Sequence, residues 1–198
     1  MSAFSLDLLA WRRDVAQTYA DVRLSDQPAQ GHAGWCRRRD ALFAASPESP
    51  LPAGDARRST GLPVPPYDPA WRAIVPLEPA ETDERVLDGG DDGAVRMRRV
   101  GVLRTPWGSL DAWWLPSYGG GLFVPVGDAG SGTLSYGGGR YLLDTVKGAD
   151  LGAAGRGLVV DLNFLYNPSC AYDPRWTCPL APPGNVLAVS VPVGELLA

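Results

Sequence analysis

Polar side chains of several kinds are concentrated in residues 159–168, which read VVDLNFLYNP. If this run is a strand, Asp161 and Asn163 lie on the same face, because side chains alternate along a strand. Residues two apart on a strand are roughly 7 Å apart, so the carboxylate and the amide could contact one bound group. The alternative is structural, with the two side chains facing water or bracing the next turn.

The following loop carries a second set of polar and reactive groups, namely Asn167, Cys170, Tyr172 and Cys178. Seven residues separate the two cysteines, which is not the spacing of a zinc ribbon, so a metal would need ligands from elsewhere. Two buried structural thiols are the simpler interpretation, since free cysteine is among the most buried residue types. A redox pair is the alternative.

Two glycine-rich segments, residues 128–132 and 136–141, lie upstream. Glycine lets backbone N–H groups approach an anion, and Arg140 could complete a phosphate site with its forked guanidinium. Hairpin turns use the same residues and are the simpler interpretation. Arg140 could also pair with Asp161 across neighbouring strands.

Together these segments predict a small-molecule pocket in a β-rich domain. Asp161 is the candidate general base, and Arg140 would stabilise anionic charge. Two other hypotheses stay open. In one, these residues serve only to support the fold of a structural or protein-interaction module. In the other, the domain is a flavin- or metal-dependent oxidoreductase, although no sequence feature demands such a cofactor. The predicted ligand-binding residues are Arg140, Tyr141, Asp161, Asn163, Asn167 and Tyr172.

Several familiar motifs are missing from the sequence. The single histidine, His32, which is expected in a loop, excludes sites that need a histidine pair. The only lysine, Lys147, lies in no phosphate-loop motif, and no serine lies in a Gly-x-Ser-x-Gly elbow. Residues 88–93 lack the spacing and the terminal glutamate of a calcium loop, so a solvated hairpin turn is predicted there. No metal site is predicted.

Two helices are predicted within residues 1–60, ahead of these segments. Ser5 can cap the first helix, and apolar residues recur at three- and four-residue spacing from Leu8 to Val22. A loop is predicted over residues 25–34 and a shorter helix over residues 35–45. The prolines that begin at Pro47 must end that helix.

From residue 61 onward the pattern changes to strands and turns. Closely spaced sequential strands favour an antiparallel meander, either barrel-like or a sandwich. The predicted fold is therefore α+β, with N-terminal helices followed by a mainly antiparallel β-rich domain over residues 61–198, forming one compact unit with the helical segment. The strands are predicted around residues 71–77, 95–104, 110–115, 122–126, 140–144 and 158–165.

The composition limits the partners of such a domain. The chain has 198 residues and a formal net charge of −4, which is too mild to indicate nucleic acid or an anionic membrane as a partner. No run approaches the roughly 18 apolar residues of a membrane span, and the N-terminus lacks the basic start of a signal peptide. A cytoplasmic location is expected, which suits three cysteines without a disulfide framework. The expected partner is a small molecule, and a homo-oligomer stays open.

The sequence also resembles a bacterial and archaeal family known only as domain of unknown function 1684. The resemblance covers roughly residues 35–196 and implies a shared fold and a shared pocket, but no activity, because the family is uncharacterised. Gly184 stands where the family has a glutamate, so a catalytic or metal-binding carboxylate is not expected there. The resemblance is densest in the motifs DLN (161–163), YNP (166–168), CAY (170–172), CP (178–179) and GE (194–195), together with GRYL (139–142) and YDP (67–69).

Overall fold

The computed structural model of the protein describes residues 5–87, 93–116 and 118–197. The chain begins with α1 (Leu6–Leu24) and α2 (Pro28–Ala45), which a short helix α3 (Arg57–Thr60) follows. The Ser5 hydroxyl accepts a hydrogen bond from the backbone N–H of Asp7 at 3.1 Å and caps α1, as predicted. Among the described helices, none is long and apolar enough to cross a membrane. Most of the predicted turn at 88–93 lies outside the described residues.

Helix α2 is longer than the sequence predicts, because it begins at Pro28 and includes most of the segment expected to be a loop. A proline at the first helical position costs no hydrogen bond, since that N–H has no partner within the helix. The buried residues of α2 are spaced three or four apart and so form one face. Burial of this face outweighs the low helix propensity of the two glycines in α2. The buried residues are His32, Trp35, Arg39 and Phe43.

Nine strands form two antiparallel sheets in the described residues. A three-stranded sheet has the order β1-β9-β8, and a six-stranded sheet has the order β2-β4-β5-β6-β7, with β3 also paired to β4. The strands are β1 (Arg72–Val75), β2 (Leu77–Glu78), β3 (Glu84–Leu87), β4 (Val95–Thr105), β5 (Gly108–Leu115), β6 (Gly121–Val126), β7 (Arg140–Asp144), β8 (Ala153–Ala154) and β9 (Gly157–Asp161).

The structure confirms an α+β fold with N-terminal helices followed by antiparallel sheets. As far as the chain is described, the six-stranded sheet does not close on itself, because β2 and β7 lie at its opposite ends. The arrangement is therefore compatible with the sandwich form of the prediction and not with a closed barrel. Strands β4 and β5 match the strands predicted over residues 95–104 and 110–115 and form a hairpin, in which Thr105 pairs with Gly108.

Two predicted strands differ from the observed ones. The strand expected over residues 71–77 is divided at Pro76, which has no N–H to donate to a ladder, and its halves belong to different sheets. The strand expected over residues 158–165 ends at Asp161, and Leu162–Phe164 forms a 3-10 turn. The prediction that Asp161 and Asn163 share one strand face is therefore wrong.

The main hydrophobic core includes buried side chains from the helices and from both sheets. Tyr19 of α1 and Trp35 of α2 belong to the same cluster as Leu142 of β7 and Val160 of β9. Val191, in the segment that follows the last strand, is also part of this cluster. The helices are thus packed on the sheets, and the space between them contains the site described next.

Candidate functional site

A cavity of about 270 Å³ lies between the two N-terminal helices and the β-rich part of the chain. One wall comes from α1 and α2, and the other comes from the end of β7 and from the loop after β9. A second cavity of about 400 Å³ adjoins the first and shares residues near the end of β7 with it. The shared residues are Tyr141, Asp144, Lys147 and Thr177.

Aromatic side chains dominate the wall of the first cavity. The rings of Trp11 and Phe43 lie 5.3 Å apart, centroid to centroid, and those of Phe43 and Tyr172 lie 5.5 Å apart in an edge-to-face arrangement. Tyr141 and Tyr166 pack edge to face at 5.7 Å and line the opposite side. Such a surface offers apolar contact to a flat organic group.

Four residues of the cavity wall each carry a buried polar atom without a well-formed hydrogen bond in the described part of the chain, although the atoms of Tyr19 and Trp35 are neighbours. The four atoms are the hydroxyl of Tyr19, Nε1 of Trp35, Oδ1 of Asp144 and Oδ1 of Asn167. Each of these residues is more than nine-tenths buried. Leaving a buried polar atom unpaired costs roughly 1–3 kcal/mol, so native proteins rarely keep several in one place. Their convergence makes this cavity the candidate functional site.

Asp144 lies at the boundary of the two cavities. Its backbone exchanges hydrogen bonds with Ala149 (2.9 and 3.0 Å), and its Oδ2 lies 3.7 Å from Nζ of Lys147. Burial raises the pKa of the Asp144 carboxyl, although Lys147 and Arg12 oppose that shift. A carboxyl with a raised pKa and one unpaired oxygen can either accept or donate a proton at the cavity wall.

A buried ion pair closes the inner end of the cavity. Arg39 donates two hydrogen bonds of 3.0 Å to Oε2 of Glu195, and its guanidinium lies 4.8 Å from the centre of the Trp35 ring. Tyr172 donates its hydroxyl proton to Oε1 of Glu195 at 2.5 Å, and Oε2 also accepts from the backbone N–H of Asn167 at 3.1 Å. Glu195 therefore anchors both α2 and the loop that carries Asn167.

Three of the six predicted ligand-binding residues line this cavity, namely Tyr141, Asn167 and Tyr172. The hydroxyl of Tyr141 donates a hydrogen bond to the carbonyl of Pro179 at 2.6 Å, so its ring edge, rather than its hydroxyl, is available to a ligand. The other three predicted residues lie elsewhere.

Arg140 is completely buried away from the cavity wall. Its guanidinium donates to Oδ2 of Asp128 at 2.9 Å and to the carbonyls of Val193 and Val191 at 2.6 and 3.1 Å. The predicted Arg140–Asp161 pair is wrong, because β7 and β9 belong to different sheets. Sequence position alone does not show which strands become neighbours.

Asp161 and Asn163 hold the segment before β1. The side chain of Asn163 accepts from the backbone N–H of Asp68 and donates to its carbonyl, both at 2.8 Å, and also donates to Oδ1 of Asp161 at 2.8 Å. Oδ2 of Asp161 accepts from the Tyr67 hydroxyl at 3.1 Å and lies 3.6 Å from Nε of Arg72. These contacts agree with the structural alternative for the pair.

The prediction that His32 lies in a loop is wrong, because His32 is buried in α2. Its Nε2 lies 3.0 Å from the carbonyl oxygen of Asn163, and its ring packs edge to face on Phe164 at 5.2 Å. Burial lowers the pKa of His32, which favours the neutral ring. The histidine thus links α2 to the turn after β9.

In the glycine-rich segment that begins at Asp128, the Asp128 carboxylate itself accepts the hydrogen bonds that a bound phosphate would accept. Oδ1 of Asp128 accepts from the backbone N–H of Gly130 at 2.7 Å, and Oδ2 accepts from the hydroxyl of Ser135 at 3.1 Å. Because this carboxylate already occupies the position of an anion, the contacts favour the turn interpretation over a phosphate site.

Sequence reasoning missed three of the four residues that carry unpartnered polar atoms, Tyr19, Trp35 and Asp144, and it also missed Lys147 beside Asp144. Tyr19 and Trp35 lie on apolar helical stripes and therefore resemble ordinary core residues. The one available signal was an aspartate at the end of the otherwise buried strand β7, three residues before the only lysine of the chain.

Comparisons with known proteins agree with the family resemblance. A family described as "Protein of unknown function (DUF1684)" matches residues 58–196. The solution NMR structure of an uncharacterised protein of Haloarcula marismortui is similar at 29% identity and a TM-score of 0.57, covering 82% of this chain and 90% of that chain. The curated proteins contain no match. Because the family match spans most of the sequence, the chain belongs to the DUF1684 family of proteins of unknown function.

Proposed function

We propose that the protein binds a small molecule in the cavity between the helices and the β-rich part of the chain. The observation that carries the proposal is that four residues of this one wall, Tyr19, Trp35, Asp144 and Asn167, each have a buried polar atom without a well-formed hydrogen bond. A ligand with complementary donors and acceptors would offset the cost of burying them.

The four atoms define the polar part of the ligand. Nε1 of Trp35 can only donate and Oδ1 of Asn167 can only accept, whereas the Tyr19 hydroxyl can do both. A ligand that satisfies them needs at least one acceptor and one donor close together, as in a carboxamide or a nitrogen heterocycle. The surrounding aromatic rings favour a planar body for the same molecule.

The charges on the wall favour a neutral ligand. Arg39 is paired with Glu195, and Lys147 is paired with Asp144. Arg39 and Lys147 therefore cannot select an anionic ligand without the loss of an existing ion pair. The other two charged residues of the wall, Arg12 and Glu48, make no ion pair among the described residues and are opposite in sign, so their charges balance. Arg140, Asp161 and Asn163 keep their side chains in contacts within the protein, and we assign them to support of the fold.

Native mass spectrometry of the purified protein, compared with its denatured mass, detects a retained ligand. Ligand-observed NMR with benzamide, benzoate and benzylamine then tests the charge preference, because the three probes share one ring. We expect benzamide to bind more tightly than the two charged probes. Equal binding of the three probes, or a bare native mass together with no binding of benzamide, contradicts the proposal.

A matched pair of variants locates the binding. Tyr19→Phe removes an unpaired hydroxyl from the cavity wall, whereas Tyr67→Phe removes a hydroxyl that is bonded to Asp161 outside it. We expect Tyr19→Phe to weaken benzamide binding by about fivefold, which corresponds to one hydrogen bond of ~1 kcal/mol, and Tyr67→Phe to leave it unchanged. Equal losses in both variants would place the probe elsewhere.

A further inference from the structure

The cavity wall also carries a cysteine, Cys178, that lies beside a second cysteine, Cys170. The backbone N–H of Cys170 donates to Sγ of Cys178 at 3.4 Å, which brings the two cysteines close together. Cys178 lines the cavity, and both residues are partly exposed. Both thiols are free.

The surroundings of Cys178 favour its thiolate. Hydrogen bonds from the thiol and the backbone N–H of Cys170, together with the charge of Lys147, lower the pKa of Cys178 to about 6, although its burial opposes the shift. Lys147 lines the same cavity and carries the only ammonium group among the side chains of the protein. Thiolates are the reactive form of cysteine, so Cys178 is placed to attack an incoming electrophile.

Cys170 is placed to remain a thiol until Cys178 has reacted. Its hydrogen bond to Cys178 and its burial raise its pKa, and the Tyr136 hydroxyl contacts its sulfur at 3.7 Å. Once Cys178 is bonded to another sulfur it no longer carries the negative charge that keeps Cys170 protonated. Cys170 then becomes able to ionise and attack.

The third cysteine provides an internal comparison. Cys36 lies in α2, where its sulfur contacts the ring of His32 at 3.8–4.0 Å. Burial raises the pKa of Cys36 to about 11. Cys36 has no thiol neighbour among the described hydrogen bonds. Its alkylation rate is therefore the reference for a buried cysteine without a second thiol nearby.

We propose that Cys178 and Cys170 form a thiol–disulfide exchange site at the cavity wall, with a low-molecular-weight disulfide as the oxidant. The Cys178 thiolate attacks one sulfur of the disulfide RSSR, which forms a Cys178–SR bond and releases one RS⁻. The Cys170 thiolate then attacks Cys178 Sγ, which forms the Cys170–Cys178 bond and releases the second RS⁻. In total two protein thiols are oxidised, RSSR is reduced to two RSH, and the two protons of the cysteines end on the two released thiols.

Alkylation of the unmodified chain tests the first step without any variant. Folded protein is treated with iodoacetamide at neutral pH, and tryptic peptides are followed with time. Trypsin cuts after Arg156 and Arg175, so Cys36, Cys170 and Cys178 fall in three different peptides. We expect Cys178 to react at least about tenfold faster than Cys36, even after allowance for the lower nucleophilicity of a more acidic thiol. Equal rates would overturn the proposal.

Oxidation with hydroxyethyl disulfide tests the second step. We expect the intact protein to lose two hydrogens, and the peptides that begin at Gly157 and Trp176 to become joined by a disulfide. Cys170→Ser should stop at a mixed disulfide on Cys178, Cys178→Ser should form no linked peptide, and Cys36→Ser should behave as the unchanged protein. Circular dichroism checks that each variant is folded.

Two results would overturn this inference. One is a failure of the unmodified chain to form the linked peptide in excess hydroxyethyl disulfide. The other is formation of the mixed disulfide first on Cys170 in the unmodified chain. Neither result bears on ligand binding by Tyr19 and Asn167, so this inference and the proposed function succeed or fail separately.

Discussion

Nη2 of Arg140 lies 2.9 Å from Oδ2 of Asp128, and the side chains of this ion pair are only 0% and 1% exposed. The same guanidinium donates to backbone carbonyls of the C-terminal segment, at Val191 and Val193. One buried cation therefore joins β7, the glycine-rich segment after β6 and the C-terminal segment. This arrangement makes Arg140 a centre of the fold rather than a contact for a ligand.

Asp128→Ala should lower the free energy of unfolding by about 3–5 kcal/mol, because it leaves the buried charge of Arg140 without its partner. Urea unfolding followed by fluorescence measures this loss. Glu78→Ala is the control, since it breaks the exposed pair with Arg104 and should cost less than about 1 kcal/mol. Similar losses of unfolding free energy in the two variants would show that the buried ion pair contributes no more to stability than the exposed one.

Asn163→Ala should cost about 1–3 kcal/mol of stability, because the backbone N–H and carbonyl of Asp68 lose their partner. Asn163→Asp should also destabilise the protein, since it removes the donor to that carbonyl. Benzamide binding should be unchanged in whichever variant folds, as measured by ligand-observed NMR. Lost binding in a folded variant would restore Asn163 to the binding site.

Tyr19→Phe should raise the melting temperature of the ligand-free protein, whereas Tyr67→Phe should lower it. The Tyr19 hydroxyl is buried without a partner, so its removal relieves a desolvation cost, but the Tyr67 hydroxyl is bonded to Asp161. Differential scanning calorimetry of the two variants measures the shifts. A lower melting temperature for Tyr19→Phe would mean that its hydroxyl has a partner in solution.

Asp144→Asn should stabilise the protein at neutral pH, with a gain that shrinks as the pH falls. Burial raises the pKa of Asp144, so the folded chain binds its proton more tightly than the unfolded chain does. The free energy of unfolding therefore falls as the pH rises from about 4, the usual aspartate pKa, through the higher folded pKa. Urea unfolding of the Asp144→Asn variant and of the unchanged protein, from about pH 4 to neutral pH, measures the effect.

Lys147→Met provides the companion test for Asp144. Removing the ammonium group takes away a charge that opposes the raised pKa of Asp144. The range of pH over which stability declines should consequently extend to higher pH than in the unchanged protein. A constant difference between Asp144→Asn and the unchanged protein at all pH values would contradict both expectations.

The parts of the fold that were predictable are those fixed by neighbouring residues. The Ser5 cap, the hairpin of β4 and β5, and strand β7 each depend on local patterns of capping residues, glycines and alternating apolar side chains. The start of α2 at Pro28 was not predictable from such patterns, because burial of His32 and Trp35 against Phe164 outweighs the local effect of the glycines in α2.

The candidate site was predictable only in part for the same reason. Tyr141, Asn167 and Tyr172 were found because they lie in or beside the polar segments near the C-terminus. Asp144 and Tyr19 were not, because what distinguishes them is a buried atom without a partner, and that property depends on residues far away in the sequence. Asp161 looked reactive in isolation, yet Asn163, Tyr67 and Arg72 already occupy its oxygens.

The two walls of the cavity come from separate stretches of the chain. Asp144, Asn167 and Cys178 lie within the segment that matches the family, residues 58–196, whereas Tyr19 and Trp35 precede it. Changes in α1 and α2 can therefore alter the polar contacts of Tyr19 and Trp35 as well as the apolar ones, while Asp144 and the thiols lie outside the changed segment. A chimera with foreign helices would therefore need an arginine at position 39, because Glu195 pairs with Arg39 and also accepts from the backbone N–H of Asn167.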